Sequence, residues 1–317
     1  MSTNATNTVV IAVGGNALIR DKDHVAVTDQ VDAVRESSSH IADLVQEGYT
    51  PVITHGNGPQ VGFLLRRVEL ASAELPAIPL DYLGADTQGA TGYMFTRSLR
   101  NELAQRGINR SIAAVVTQSI VDRADPAFAD PSKPIGSFMD EETAKRRELE
   151  DGWAVREDAG RGYRRVVASP IPQDIVEKDV ITTLLNSGCL VVAVGGGGIP
   201  VSREESGELN GVEAVIDKDR ASALLATLLG VETFIICTAV DTVAINFNTP
   251  EQQELHRLTT ADAKKYLAEG QFGAGSMAPK IEAAINFLEQ GGKRVIITSL
   301  PLLKEAVAGN AGTTITQ

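Results

Sequence analysis

The chain has 317 residues, of which 43% are hydrophobic and 22% charged, so it is long enough to form one large globular domain or two lobes. Its 29 Lys and Arg against 41 Asp and Glu give a formal net charge of −12, which argues against binding nucleic acid or an anionic membrane through bulk attraction. No apolar run approaches the length of a transmembrane helix, and the polar start MSTNATNT has no feature of a signal peptide.

Strand-like apolar runs alternate with amphipathic helical stretches along the chain. TVVIAV precedes a helical stretch that ends at Gly48, and YTPVITH precedes a helix that begins near Pro59. Further strand-like runs are IAAVVTQSIV, CLVVAV, TFIICTAV and RVIITSL, each after a helix-like segment. Because these runs lack polar alternation, the pattern predicts an α/β fold with a mainly parallel sheet covered by helices on both faces.

The region from about residue 123 to residue 167 interrupts this rhythm. It is rich in proline and charge and contains the single Trp of the chain. We predict a small subdomain that projects from the sheet. A disordered linker is the less favoured alternative, because Phe128, Phe138, Trp153 and Tyr163 provide apolar surface that a subdomain could bury.

Three strand-like runs end in glycine-rich turns, IAVGGNAL, ITHGNGPQVG and VAVGGGGIPV. Ligands of parallel α/β sheets bind beyond the carboxyl ends of the strands, and glycines there let backbone N–H groups face an anion. Such turns also occur for geometry alone, but three in one chain favour a binding role. Neither GxxxxGK[ST] nor GxGxxG with a later acidic residue is present, which argues against a P-loop NTPase and an NAD-dependent dehydrogenase.

Two lysines stand at predicted helix starts, where a cation gains nothing from the helix dipole. Lys218 lies in GVEAVIDKDRASALLA beside Asp219, and Lys280 lies just after a glycine-rich segment in GAGSMAPKIEAA. Phosphoryl groups bound by these lysines, with Asp219 orienting them, would explain the pattern. The simpler alternative is an acidic helix start and two solvated lysines.

The cysteines and histidines indicate neither a metal site nor a disulfide. Cys189 and Cys237 lie in strand-like apolar runs, as small core residues of a reducing compartment do. The four histidines show no HExxH or Cys/His pairing, so no protein-held metal is expected. These observations predict a cytoplasmic location.

Taken in order, the motifs VIAVGGNAL, HGNGPQVG, KPIG, EDAGRGYRRVVASP, GGGGIPV, GVEAVIDKD and GSMAPKIEAA resemble those of the carbamate kinases of the amino acid kinase family. The similarity extends from about Val9 to Ser299. The glycine turns occur throughout the superfamily, whereas EDAGRGYRRVV and the KPIG-bearing insertion are much more specific to carbamate kinases.

This resemblance implies a three-layer αβα sandwich with an open, mainly parallel sheet and a small projecting subdomain. It implies reversible, Mg²⁺-dependent phosphoryl transfer from ATP to carbamate, giving ADP and carbamoyl phosphate, usually run toward ATP in arginine or ureide breakdown. It further implies a homodimer. Residues 1–210 would form a carbamate and carbamoyl phosphate lobe that includes the subdomain, and residues 211–317 a nucleotide lobe.

The resemblance also assigns roles to individual residues, with Mg²⁺ held mainly by the nucleotide phosphates. The residues that would organise and neutralise the transferring phosphoryl group are Lys133, Lys218, Asp219 and Lys280. The residues that would cradle the phosphoryl and carbamate groups are Gly14, Gly15, Asn16, Gly56, Asn57, Gly58, Gly196 and Gly197. The residues that would lie near the nucleotide are Asp217, Asp241, Val243, Met277 and Lys280.

The sequence departs from the family pattern in a few places. The first-strand lysine of many superfamily members is absent, as in other carbamate kinases, and Lys133 is the expected substitute. Asp86 and Thr87 stand where Met and Ser are expected, and Gly275 stands where proline is frequent. Two alternatives remain open, a kinase for another small carboxylate and a non-catalytic nucleotide-binding regulatory subunit, although the intact lysines argue against the second.

Overall fold

The computed structural model describes residues 7–21, 23–158, 160–273 and 275–317, without the side chain of Asn16. The helices are α1 (Val27–Gln46), α2 (Gly58–Ala71), α3 (Leu80–Gln105), α4 (Glu141–Asp151), α5 (Lys178–Asn186), α6 (Lys218–Leu228), α7 (Thr260–Ala268), α8 (Ala278–Glu289) and α9 (Leu303–Val307). The strands are β1 (Thr8–Val13), β2 (Thr50–His55), β3 (Ile112–Ala114), β4 (Gln118–Val121), β5 (Lys133–Met139), β6 (Ala154–Glu157), β7 (Tyr163–Val167), β8 (Pro172–Ile175), β9 (Leu190–Val192), β10 (Ile199–Arg203), β11 (Leu209–Gly211), β12 (Thr233–Cys237), β13 (Val243–Ile245), β14 (Gln253–Leu255), β15 (Arg257–Thr259), β16 (Arg294–Thr298) and β17 (Thr313–Thr316).

A large sheet forms the centre of the molecule. Within the described residues it has eight strands in the order β15-β17-β16-β12-β1-β2-β9-β3. All neighbouring strands are parallel except β16 and β17. One side of the sheet consists of strands from residues 8–192 and the other of strands from residues 233–316, so the pairing of β1 with β12 joins the two groups of strands.

The central strand β1 shows why the sheet is covered on both faces. Its apolar residues are buried along the whole length and alternate between the two faces. Val10 and Ala12 belong to a core cluster with α5, α6, α7 and α8, whereas Val9, Ile11 and Val13 belong to a second cluster with α1, α3 and α9. The expected three-layer αβα sandwich with a mainly parallel sheet is therefore confirmed.

The run IAAVVTQSIV forms two strands in different sheets. β3 is the edge strand of the large sheet, whereas β4 belongs to a smaller sheet with the order β11-β10-β4-β8. Buried Thr117 lies between them, and its hydroxyl donates to the carbonyl of Val115 and accepts from the N–H of Val194. These bonds, with the one from the N–H of Thr117 to Oε1 of Gln88, hold the chain where it passes from one sheet to the other.

Residues 133–167 contain a three-stranded antiparallel sheet, β5-β7-β6, together with α4. Ile135 and Val167 pack with apolar side chains of α2 and α3, which attaches this unit to the main body. Its aromatic residues do not form the buried core that we expected. Phe138 is 46% exposed, and Trp153 has the guanidinium groups of Arg147 and Arg165 about 5 Å from its ring centre.

Trp153 and Phe138 thus pack against arginine side chains, because a sheet this small has too little apolar surface to enclose them. Phe128, which precedes the unit, packs against the main core instead. Across the described residues, no helix is both long and apolar enough to cross a membrane.

Candidate active site

The three glycine turns lie together at the carboxyl edge of the large sheet, because β1, β2 and β9 are parallel neighbours that end there. A Cβ on Gly56 would lie 3.8 Å from the backbone nitrogen of Gly15 and 3.9 Å from Cδ of Lys218. The first two turns therefore adjoin each other and the stem of this lysine. The side chain of Asn16, a predicted phosphoryl-binding group, lies outside the described part of the structure.

The run of four glycines after β9 is explained by crowding and by backbone conformation. Gly196 has a φ of +67°, and a Cβ there would lie 2.2–2.5 Å from the side chain of Asn57. Gly198 has a φ of +89°, and a Cβ there would lie 2.1 Å from Oγ of Ser119. The protein's own side chains already occupy the positions that these Cβ atoms would take, so packing and backbone conformation require glycine here, and the predicted binding role of the run stays a prediction.

A strained residue leads into the glycine run. Val194 is completely buried and has a φ of +53°, in the left-handed region that a β-branched residue rarely adopts. Its N–H is held by the hydroxyl of Thr117 at 3.0 Å. Strain of this kind persists where surrounding contacts impose it, and it concentrates at functional sites.

Asp219 holds the two predicted phosphate-binding lysines together. Its carboxylate accepts from Nζ of Lys218 at 2.7 Å and from Nζ of Lys280 at 2.9 Å, and all three side chains are largely buried. Burial by itself would raise the pKa of Asp219, but the two lysines outweigh it and lower the pKa to about 2. Each ammonium group keeps further N–H donors, from which a phosphoryl oxygen could accept hydrogen bonds.

Asp217 links this cluster to Lys133. It caps α6, where Oδ1 accepts from the backbone N–H groups of Asp219 and Arg220, while Oδ2 accepts from Nζ of Lys133 at 3.1 Å. The first turn of α6 thereby gathers Lys133, Lys218, Asp219 and Lys280 into one charged chain. A role for Asp217 in nucleotide binding stays a prediction, since both oxygens already have partners within the protein.

One cavity opens beside Lys133 and is called the Lys133 cavity. Its volume is about 480 Å³, and residues that line it include Asn57, Gly58, Gly84, Lys133, Gly196 and Gly198. Its wall also includes Arg66 and Arg164, and none of the described residues that line it is acidic. In a chain with a net charge of −12, this cationic wall suits an anionic ligand.

A second cavity, of about 830 Å³, opens beside Lys280 and is called the Lys280 cavity. Residues that line it include Gly14, Gly15, Thr238, Asp241, Ser276 and Lys280. Gly275, one of the departures from the family pattern, also lies in its wall. The bonded side chains form a group called the Asp219 cluster, which consists of Lys133, Asp217, Lys218, Asp219 and Lys280. This cluster connects the two cavities, because Lys280 lines one and Lys133 lines the other.

Not every residue predicted near the nucleotide lines this cavity. Asp241 is exposed in its wall, but Val243 is fully buried and its N–H donates to Oγ1 of Thr313. Met277 precedes α8 and packs against the core beneath it. Gly197 is likewise set back from the Lys133 cavity, because a Cβ there would lie 2.6 Å from the carbonyl oxygen of Ile216.

Some residues of the site were not predicted from the sequence, and Arg164 is the first of them. Arg164 belongs to the EDAGRGYRRVV motif, which served only as a family marker. It donates to the carbonyl of Gly136, forms an ion pair with Asp158 and lines the Lys133 cavity. Its position in a run that holds two further arginines, Arg161 and Arg165, was the available clue.

Thr87 and His55 are buried residues of the site that the sequence reasoning did not assign to it. Thr87 is 1% exposed and bonds the amide of Asn57, whereas its neighbour Asp86 is exposed. His55 lies at the end of β2, where burial, opposed by the Gly56 carbonyl and aided by Lys218, lowers its pKa to about 4. The imidazole is therefore neutral at physiological pH.

The described part of the site offers cations and backbone N–H groups rather than a nucleophile. Burial raises the pKa of the Cys237 thiol, at the end of β12, to about 12, so it carries no thiolate at neutral pH. Among the described residues, no group of three or more His, Cys, Asp or Glu side chains could hold a metal ion. Such a site can bind and stabilise a transferring phosphoryl group by charge and position.

Comparison with known proteins relates this geometry to a family. A model of the amino acid kinase family matches residues 7–299. The carbamate kinase of Thermococcus kodakarensis is 50% identical over 97% of this chain and 98% of its own length, and that of Clostridium perfringens is 47% identical over 97% and 99%. The structure of Giardia lamblia carbamate kinase bound to AMP-PNP superposes with a TM-score of 0.93, at 40% identity over 98% of this chain and 99% of that one. The resemblance drawn from the motifs is confirmed.

Proposed function

The chain belongs to the amino acid kinase family, and from that premise we propose that it transfers a phosphoryl group reversibly between ATP and carbamate, through the Asp219 cluster. Relatives at 50% and 47% identity over nearly the whole chain support carbamate kinase activity, which is a phosphotransferase activity. The observation that carries the proposal is the buried carboxylate of Asp219, which holds Lys218 and Lys280 between two cavities.

In this proposal the nucleotide occupies the Lys280 cavity and carbamate the Lys133 cavity. The transferring phosphoryl group passes between them, beside Lys218 and the turns at Gly15 and Gly56. Carbamate brings its own nucleophilic oxygen, so transfer requires no general base. Lys218 and Lys280 offset the negative charge of the transition state, and Asp219 keeps both ammonium groups in place without exposing them to each other's full repulsion.

In this proposal Mg²⁺ binds together with the nucleotide and neutralises charge on its phosphates. Both oxygens of Asp219 are taken by lysines, and both oxygens of Asp217 accept hydrogen bonds. The carboxylates of the cluster are therefore committed, which supports an ion held mainly by phosphate oxygens. The described lining of the Lys280 cavity contains two acidic residues, Glu36 and Asp241. Glu36 is paired with Arg20, so Asp241 is the carboxylate available to approach the ion.

The working direction and the setting are parts of the same proposal. Carbamoyl phosphate is a mixed anhydride with a high tendency to transfer its phosphoryl group, which favours ATP synthesis during arginine or ureide breakdown. Residues 1–210 form the carbamate lobe and residues 211–317 the nucleotide lobe, in keeping with a Lys133 cavity lined almost entirely from the first range. Cys189 and Cys237 are free cysteines, as expected of a reducing compartment, which supports the cytoplasm as its location.

The proposed homodimer uses α3 and the neighbouring edge strand β3. One face of α3 is exposed and carries Tyr82, Asp86, Ala90, Tyr93 and Arg97 at helical spacing. A two-fold axis near the middle of the helix would place Asp86 of one copy opposite Arg97 of the other. Such a self-complementary patch is what a symmetric dimer requires.

The first experiment measures ATP formed from ADP and carbamoyl phosphate with Mg²⁺. We expect rapid turnover by the wild type and a loss of about 100- to 1000-fold in Lys280→Ala, since removal of one stabilising donor commonly has this effect. Lys304→Ala is the matched control, because Lys304, on α9, is half exposed and forms an ion pair with Glu47 at the end of α1. Its rate should equal that of the wild type.

Acetyl phosphate is the rival donor in the same assay. ATP formed as fast from acetyl phosphate as from carbamoyl phosphate would point to a kinase of another small carboxylate. Binding of ADP without ATP from either donor would point to a regulatory subunit and would refute the proposed reaction.

A further inference from the structure

We propose that Thr87 and Gln88, consecutive buried residues of α3, are positioning residues that set the carbamate side of the site. This inference rests on the proposed function, since it concerns the Lys133 cavity. Neither side chain lines that cavity, but each is bonded to a group beside it. Their joint effect is to fix Asn57 and the glycine run relative to each other.

Thr87 fixes Asn57. Nδ2 of Asn57 donates to Oγ1 of Thr87 at 2.8 Å, and that hydroxyl donates in turn to the carbonyl of Gly84 at 2.7 Å. Thr87 is 1% exposed and Asn57 8% exposed, so water cannot readily replace either partner. The hydroxyl proton is used by Gly84, which leaves a lone pair for the asparagine and decides which way its amide faces.

Gln88 fixes the start of the glycine run. Its Nε2 donates to the carbonyls of Gly195 and Thr117, both at 3.0 Å, and its Oε1 accepts from the N–H of Thr117 at 2.7 Å. Thr117 in turn accepts from the N–H of strained Val194. The amide of Gln88 is thus fully engaged in keeping a segment with an unfavourable φ in one conformation.

The two chains of bonds meet at Gly196. A Cβ at this glycine would lie 2.2–2.5 Å from the side chain of Asn57, so the backbone of Gly196 packs directly on that amide. Asn57 and Gly196 both line the Lys133 cavity. Because Thr87 and Gln88 are adjacent on one rigid helix, α3 holds both walls of this part of the cavity at a constant separation.

Loss of one bond should therefore disturb carbamoyl phosphate binding and transfer, but not nucleotide binding. The Lys280 cavity draws its lining from the ends of β1, β12 and β16 and from α1 and the start of α8. No residue of α3 lies in the described part of that lining. A defect confined to one substrate separates a positioning role from a general loss of stability.

The test compares Thr87→Val, which keeps the shape and removes the hydroxyl, with Thr87→Ser, which keeps the hydroxyl. For Thr87→Val we expect kcat/KM for carbamoyl phosphate to fall at least about 10-fold, because the buried amide of Asn57 loses its partner. KM for ADP should stay within about twofold of the wild type, and Thr87→Ser should restore the wild-type constants. If Thr87→Val does not fold, Thr87→Ala carries the same expectation.

A double-mutant cycle with Asn57→Ala identifies the route of the effect. If Thr87 acts through Asn57, Thr87→Val should change kcat/KM by less than about twofold in the Asn57→Ala background. Equal losses in both backgrounds, or a wild-type kcat/KM in Thr87→Val, would overturn the inference while leaving the proposed function intact. A wild type that makes no ATP from carbamoyl phosphate would overturn both.

Discussion

At the scale of single residues, the neighbourhood of Lys218 shifts three ionisable groups in different directions. The pKa of Asp219 is about 2, that of His55 about 4 and that of Cys237 about 12. Burial opposes charge in all three, and only Asp219 has two cations close enough to reverse the effect. The result is a site in which the carboxylate of Asp219 stays charged throughout the physiological pH range, while the nearby imidazole of His55 and thiol of Cys237 are neutral.

His55 should make the protein less stable as the pH falls below neutrality. Its pKa is lower in the folded chain than the ordinary value of 6.5, so the unfolded chain binds the proton first. The stabilisation is complete above pH 6.5 and is lost progressively as the pH falls toward 4. Between pH 7 and pH 5 we expect the free energy of unfolding to drop by about 2 kcal/mol on account of His55.

Urea unfolding at a constant protein concentration measures this drop. The variant His55→Asn, which has no titrating ring, should lack it, whereas His256→Asn should retain it because His256 is exposed. The same drop in His55→Asn and in the wild type would show that other groups cause the acid sensitivity.

At the scale of elements, helix starts and strand ends supply the site. Asp217 caps α6 and also anchors Lys133, so one residue both begins the helix and joins the subdomain unit to it. The glycine run ends β9 in the same way that Asp217 begins α6. It lets the chain turn in a space where the side chains of Asn57 and Ser119 leave no room for a Cβ. Replacement of its glycines therefore has a steric effect that a glycine on the surface does not have.

Gly196→Ala tests this effect against a glycine of nearly equal φ. Gly196 has a φ of +67° and Gly270 a φ of +70°, but a Cβ collides with a neighbour only at Gly196. Both alanines incur about 1–2 kcal/mol for the left-handed conformation, and overpacking should add about 1–3 kcal/mol at Gly196.

The measurements are urea unfolding and ATP formation. We expect Gly270→Ala to keep full activity with a small loss of stability, and Gly196→Ala to lose at least about 100-fold in kcat, because the collision displaces Asn57. Equal stability and activity of the two variants would mean that the glycine run yields without disturbing the site.

At the scale of the whole molecule, the exposed face of α3 lies on the side of the helix opposite to Thr87 and Gln88. Tyr82 is 64% exposed and Tyr93 59%, and because both lie on this one face they form part of a contiguous surface of the kind that marks interaction sites. Asp86 stands on this face in place of the expected Met. In the proposed dimer it gains a partner, Arg97 of the second copy.

Charge reversal tests that pairing. Arg97→Asp places like charges opposite each other and should raise the dissociation constant of the dimer at least about 10-fold. The double variant Asp86→Arg with Arg97→Asp should restore it, as measured by sedimentation equilibrium. A wild type with the mass of one chain, or a double variant as weak as the single one, would contradict the proposed interface.

The part of this protein that its sequence determined by itself is local. TVVIAV forms a strand buried on both faces because nearly every residue in it is apolar. The helix α1 ends just before Gly48, and α2 begins next to Pro59, as these two residue types favour. The order of the motifs was enough to identify the carbamate kinase resemblance, and the relatives confirm it. The lysines of the candidate site could also be proposed from the sequence, because their motifs are short and contiguous, and their role in phosphoryl transfer stays a prediction.

Only the tertiary structure decided which of these residues meet. Asp219 and Lys280 are 61 positions apart, and Asn57 and Thr87 are 30 apart, and neither spacing leaves a periodic signal in the chain. The same holds for the arginines that cover Trp153. Contacts of this kind depend on how strands and helices pack. The hydroxyl that orients Asn57, and the distances that hold both lysines against Asp219, therefore become visible only when the chain is folded.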